Sequence, residues 1–226
     1  MVMGERVDYW LFGVWPYVAA TSVLIGPIVR ALAAWRSHAD LQREFAASLE
    51  CLWGDVCWRG GVASVLVGHL LILLYPAAVL AWNSNPIRLL ALEGALFTAS
   101  LLAIGGLAAV LLHNVHRWRA RPRAPHAESA VIALAMLVLT SGRLLAVVER
   151  WASSWAALTW PPYVTSVVGL NPDVAIVAQM PYLVRLHVAS ALALITVVPF
   201  TPAIALVFYP LSRVVVRGSV RSGFTH

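Results

Sequence analysis

Five long apolar runs separated by short polar stretches dominate the chain, at about residues 9–32, 56–76, 87–112, 129–148 and 180–209. A helix of about 20 apolar residues crosses the roughly 30 Å hydrocarbon core of a bilayer, so each run is long enough to span it. Backbone groups in lipid must pair within their own segment, which a helix achieves and an open sheet does not. The pattern predicts an all-α integral membrane protein in which residues 1–226 form a single five-helix bundle.

The composition agrees with this pattern. The 226 residues are 61% hydrophobic and only 12% charged, which is not typical of a soluble domain. Because almost no polar segment lies outside the runs, we expect no catalytic domain within this chain.

The arginines predict how the helices are oriented, since basic residues favour the cytoplasmic side of a membrane. All 16 basic residues are Arg, and most lie at one set of helix ends. This distribution predicts an N-terminus outside and a C-terminus in the cytoplasm, and we interpret the first run as a retained helix. Arg30, Arg36, Arg43, Arg59, Arg117, Arg119, Arg121, Arg123, Arg213, Arg217 and Arg221 fall on the predicted cytoplasmic side, against Arg6, Arg88 and Arg150.

Two histidines fall at the same predicted depth in helices that run in opposite directions. His69 lies seven residues before Pro76, and His187 lies seven residues after Met180. At a rise of about 1.5 Å per residue, each is about 10 Å below the same membrane surface. One buried histidine alone is as readily a hydrogen-bonded core residue, but a pair at matched depth favours two axial ligands of a haem iron. Such a site has no open iron position, which suits electron transfer.

Two arginines are candidates for binding the haem propionates, which need cationic partners in this setting. Arg185 lies two residues before His187, and Arg143 is near the same depth in the fourth run. The alternative is that both side chains extend to the lipid headgroups. We therefore predict metal binding by His69 and His187, with Arg185 and Arg143 as further cofactor-binding residues.

Five short segments are spread along nearly the whole chain: WPYVA at 15–19, VGH at 67–69, IGG at 104–106, SVV at 166–168 and RLH at 185–187. In their order and spacing, these segments resemble the gamma subunit, the cytochrome b membrane anchor, of respiratory nitrate reductases. The resemblance implies electron transfer between the quinone pool and an iron–sulfur subunit with a molybdenum catalytic subunit. It also implies a quinone site near Gly68, His69 and Arg88, and the inner membrane of a prokaryote. The chain itself would not act on the terminal substrate.

The chain departs from this family at a second haem. The family places histidines ten residues before His69 and eighteen after His187, where this chain has Arg59 and Ala205. Neither side chain ligates iron, so we predict a single haem b near the outer face. His113 and His116 are the nearest histidines that could offer a ligand to a second haem, although a surface position in a basic loop is favoured for both.

Two other functions stay open. A haem-free structural anchor would hold the catalytic subunits at the membrane without any redox role. A small transporter or channel is less favoured, because the five runs show no repeat symmetry and few deep charges lie away from the histidine pair.

Overall fold

The computed structural model describes residues 3–34, 56–119, 126–149 and 151–200, and within these ranges it contains helices and no strand. In chain order the elements are α1 (Met3–Asp8), a π-helical segment (Tyr9–Val14), α2 (Trp15–Ala34), α3 (Val56–Leu74), α4 (Pro76–Asn83), α5 (Pro86–Arg119), α6 (His126–Val148), α7 (Ala152–Val168), α8 (Val174–Ala178), α9 (Tyr182–Val197) and a 3-10 turn (Val198–Phe200).

Five segments of the described chain are long and apolar enough to cross a bilayer, which confirms the predicted five-helix membrane architecture. Their outward faces carry large apolar side chains, such as that of Leu24, which is 72% exposed. Exposed leucine is expected where a helix faces lipid, and the chain is therefore a multi-pass membrane protein. The segments are Arg6–Val29, Val56–Leu74, Pro86–Ala109, Ala130–Val148 and Tyr182–Phe200.

Three shorter helices, α4, α7 and α8, were not predicted from the apolar runs. The second predicted run reaches residue 76, but α3 ends at Leu74 because Pro76 has no N–H with which to continue its hydrogen bonds. Pro76 instead occupies the first turn of α4, where a missing N–H costs nothing. Helix α7 packs against both α3 and α4, and we call this region the α4–α7 end of the bundle.

The spanning helices pack in a defined order. Helix α3 packs against α5, α5 against α6, and α6 against α9, which also packs against α2. In the described part of the chain, α3 and α9 do not pack closely against each other.

A buried hydrogen bond attaches α7 to the π-helical segment that precedes α2. The hydroxyl of Tyr163 donates a hydrogen bond of 2.7 Å to the carbonyl oxygen of Phe12. Burial, and secondarily the nearby Tyr17, raises the pKa of Tyr163 to about 12, so this hydroxyl remains a donor at neutral pH. The surrounding core consists of Phe12, Tyr163, Val177, Met180 and Val184.

Several positions used in the sequence-based interpretation lie outside the described residues. The predicted orientation, with the N-terminus outside and the C-terminus in the cytoplasm, stays a prediction. These positions are Arg36, Arg43, Arg121, Arg123, Arg150, residues 201–209 of the fifth predicted run, Ala205, Arg213, Arg217 and Arg221.

Candidate functional site

The structure brings together the two histidines of the predicted pair. The ring centroids of His69 on α3 and His187 on α9 are 6.3 Å apart, and the ring planes are inclined by 31°. An imidazole nitrogen binds a first-row metal ion at about 2.0–2.1 Å, so two rings on opposite sides of one ion have centroids roughly 6 Å apart. The observed separation therefore fits two axial ligands of a single iron, placed between helices that do not themselves pack closely.

The hydrogen bonds of the two rings leave the same nitrogen available on each. His69 Nδ1 lies 2.8 Å from the carbonyl oxygen of Val65, and His187 Nδ1 lies 3.1 Å from that of Val138 and 3.1 Å from Ser141 Oγ. A carbonyl oxygen only accepts, so Nδ1 carries the hydrogen in both rings and Nε2 keeps its lone pair. A hydrogen bond from the opposite ring nitrogen is the usual support of a metal-binding histidine.

Glycine at position 142 lets the His187 ring lie against α6. A Cβ atom there would lie 2.8 Å from His187 Cε1 and 3.2 Å from Nδ1, closer than side-chain packing tolerates. The sequence analysis missed the roles of Ser141 and Gly142. The only available signal was that both directly precede Arg143, whose depth matches that of the histidines.

Gly68 lies at the contact between α3 and α5, directly beside His69. A Cβ atom at Gly68 would overlap the side chain of Leu96, so this glycine admits α5 against α3 next to the candidate ligand. His69 itself is exposed on the surface of the bundle, whereas His187 is partly buried.

The two candidate propionate-binding arginines lie in different surroundings. The Arg143 guanidinium stacks on Phe97 of α5, with Cζ 2.9 Å from the ring centroid, and its buried Nη1 has no hydrogen-bond partner among the described residues. Nη2 of Arg185 donates to the carboxylate of Asp8, while its Nε has no such partner in the same part of the chain. Arg143 therefore has a donor, Nη1, that remains available for an anionic oxygen. Arg185 is already paired with the carboxylate of Asp8.

The remaining candidates lie towards the ends of the bundle. Arg88 is exposed at the α4–α7 end, with Cζ 5.4 Å from the centroid of the Trp82 ring, and Trp82 Nε1 donates to the Arg88 carbonyl oxygen at 3.0 Å. Arg59 is exposed near the opposite end of α3. His113 and His116 belong to the last turns of α5.

No group of three or more His, Cys, Asp or Glu side chains in the described ranges could hold a metal ion by itself. A haem supplies the equatorial nitrogens of its own iron and requires only axial ligands from the protein. The residues of this site therefore fit a haem and do not form a protein-only metal cage.

Comparison with known proteins adds one finding. A sequence model of the family described as nitrate reductase gamma subunit matches residues 8–220, which include every candidate residue of the site. None of the curated proteins compared with the chain matches it significantly.

Proposed function

The chain belongs to the nitrate reductase gamma subunit family, and from this premise we propose that it transfers electrons between the quinone pool and a partner molybdenum/iron–sulfur oxidoreductase. Membership of the family makes it a membrane subunit that associates with the other subunits of a nitrate reductase complex. In our proposal His69 and His187 would hold a single haem b, which would supply the one-electron chemistry. The partners are an iron–sulfur subunit and a molybdenum catalytic subunit.

The observation that carries this proposal is the geometry of the two imidazoles. His69 and His187 are 6.3 Å apart between ring centroids, and each has its Nδ1 bonded to a backbone carbonyl. When bound, a haem would supply a one-electron carrier at this site. Gly142 keeps the His187 ring in place, and the unpaired Nη1 of Arg143 is positioned to pair with a propionate. Arg185 would contribute positive charge, balanced in part by Asp8.

Quinone would reach this site from the lipid. His69 is exposed and directly follows Gly68, and our proposal places the quinone ring beside these two residues. Arg88 is exposed beside Trp82 at the same end of the bundle, where it can meet the polar head of a quinone. We place this end at the outer face of a prokaryotic inner membrane, because the arginine distribution favours an outside N-terminus.

A pyridine haemochrome assay on the purified chain, combined with an optical redox titration, tests the proposal. We expect one haem b per chain, titrating as a single component, because only one histidine pair lies at matched depth. Two haems would contradict the single-site proposal and indicate that a histidine such as His113 supplies another ligand. A complex without haem whose catalytic subunits remain membrane-bound would replace this proposal with a structural anchor.

Gly142→Ala should reduce haem occupancy. The new Cβ would lie 2.8 Å from His187 Cε1, so the ring must shift while Val138 and Ser141 hold its Nδ1. We expect haem affinity to fall by about tenfold, equivalent to about 1.4 kcal/mol of strain at a tightly packed site. The measurement is the rate of haem transfer from the purified protein to an excess of apomyoglobin.

Gly94→Ala is the matched control for this experiment. It makes the same change on α5, where a Cβ atom would meet nothing within 4 Å. Equal rates of haem loss for Gly142→Ala and Gly94→Ala would show that the His187 ring does not hold the haem.

A further inference from the structure

A partly buried polar network at the α4–α7 end is not used by the haem site. Glu93 Oε1 on α5 accepts hydrogen bonds from Ser153 N at 3.3 Å and from Ser153 Oγ at 3.0 Å. Asn83 Nδ2, at the end of α4, donates to Ser153 Oγ at 3.0 Å and to Ser154 Oγ at 2.9 Å. We call these four residues, Asn83, Glu93, Ser153 and Ser154, the amide network.

The direction of each hydrogen bond in the amide network follows from its chemistry. A carboxylate only accepts, so the Ser153 hydroxyl must donate its single hydrogen to Glu93. The Ser153 oxygen can then only accept from Asn83, which requires the amide nitrogen of Asn83 to face the serines. The carbonyl oxygen, Oδ1, is therefore held away from the network, where it is buried and has no hydrogen-bond partner among the described residues.

The helices that carry the amide network also share a small apolar core with α3, which carries the candidate haem ligand His69. A small core composed of Ile72, Val79 and Ala157, with Leu80, Leu92 and Ala156 packed against it, involves the helices that carry the network. Ile72 lies three residues after His69, about one turn of α3. A buried acceptor without a donor is unfavourable, so a hydrogen-bond donor that reaches Asn83 Oδ1 would be stabilised there.

We propose that Asn83 Oδ1 accepts a hydrogen bond from a hydroxyl group of quinol, and that the site thereby selects the reduced form over the quinone. This inference rests on the proposed function and adds the residue that recognises the substrate. A quinol hydroxyl is a donor and satisfies Oδ1, whereas a quinone carbonyl only accepts and leaves two acceptors facing each other. Ser153 and Glu93 are positioning residues, since they hold the amide in the orientation that presents its oxygen. A preference for the hydroxyl-bearing form suits a site that oxidises quinol.

The test compares binding of the two redox forms to the full chain in lipid nanodiscs without oxygen. Decylubiquinol is titrated into protein with reduced haem and decylubiquinone into protein with oxidised haem, so that no electron transfer accompanies either titration. The measured quantity is the ratio of the two Kd values, compared between wild type and variants. We expect Asn83→Leu to reduce the preference for quinol by about tenfold, which corresponds to one lost hydrogen bond of about 1.4 kcal/mol.

Two serine variants complete the test. Ser153→Ala keeps Asn83 but leaves Ser154 as the serine partner of its side-chain amide. The Ser154 hydroxyl can both donate and accept, so the amide of Asn83 can turn its oxygen or its nitrogen toward it. We therefore expect the preference for quinol to fall in this variant as well. Ser100→Ala is the matched control, because the Ser100 hydroxyl bonds only to the Phe97 carbonyl of its own helix, at 2.8 Å. Ser153→Ala provides the decisive comparison if Asn83→Leu fails to fold.

A Kd ratio unchanged in Asn83→Leu and Ser153→Ala would overturn the inference and assign an ordered water as the partner of Oδ1. That result would leave the proposed function intact if the haem spectrum and quinol binding persisted. A wild-type chain that binds neither haem nor quinol would instead overturn the proposed function, and this inference with it.

Discussion

We expect the single substitutions His69→Ala and His187→Ala each to abolish the b-type haem spectrum of the purified chain. In our proposal each ring supplies one of the two ligands that hold the haem, so neither substitution leaves the pair intact. Without one imidazole, the chain would hold a haem by only one of its two proposed attachments. The measurement is haem per mole of protein, with the reduced-minus-oxidised difference spectrum.

Two controls make this result specific to the histidine pair. External imidazole should restore part of the spectrum of either alanine variant, because it can occupy the volume of the missing ring. His113→Ala and His116→Ala should keep full haem content, since these residues lie in the last turns of α5, away from the pair. Full haem content in both His69→Ala and His187→Ala would disprove the assigned ligands.

The second large effect concerns the packing of α3 against α5, where adjacent glycines should respond differently to alanine. A Cβ atom at Gly61 would overlap the backbone of Ala103, and one at Gly106 would lie 2.6 Å from the backbone nitrogen of Trp58. Backbone atoms cannot move aside as a flexible side chain can, so the two helices must separate. We expect Gly61→Ala and Gly106→Ala to destabilise the bundle by about 1–3 kcal/mol.

The neighbouring glycines provide matched controls. A Cβ atom at Gly60 or at Gly105 would meet nothing within 4 Å. Alanine has a higher helix propensity than glycine by about 1 kcal/mol in a helix interior, so Gly60→Ala and Gly105→Ala should be neutral or stabilising. Thermal unfolding in detergent, followed by circular dichroism, gives the order of stability. Equal loss of stability at both members of a pair would contradict the close approach of α3 and α5.

Local properties of the chain explain what could be predicted from sequence. A run of about 20 apolar residues has the length of a bilayer whatever surrounds it, so the five spans follow from the sequence alone. A helix advances by a constant rise per residue, so distance along the chain converts directly into depth in the membrane. For that reason His69 and His187 could be placed at one level before any contact between them was known.

Contacts between distant segments decided the rest. The rotation of α3 against α5 decides which glycine of an adjacent pair faces the neighbouring helix, for example Gly61 rather than Gly60. The sequence pattern does not encode this rotation. The helices α4 and α7 were missed because their apolar runs are short and contain prolines. The orientation of Asn83 follows from hydrogen bonds that reach across three helices.

The sequence by itself determined the membrane architecture and the depth of the histidines, because both depend on local length and rise. Only the tertiary structure decided which nitrogen each ring presents and which polar atoms stay unpaired, because these depend on groups far apart in the chain.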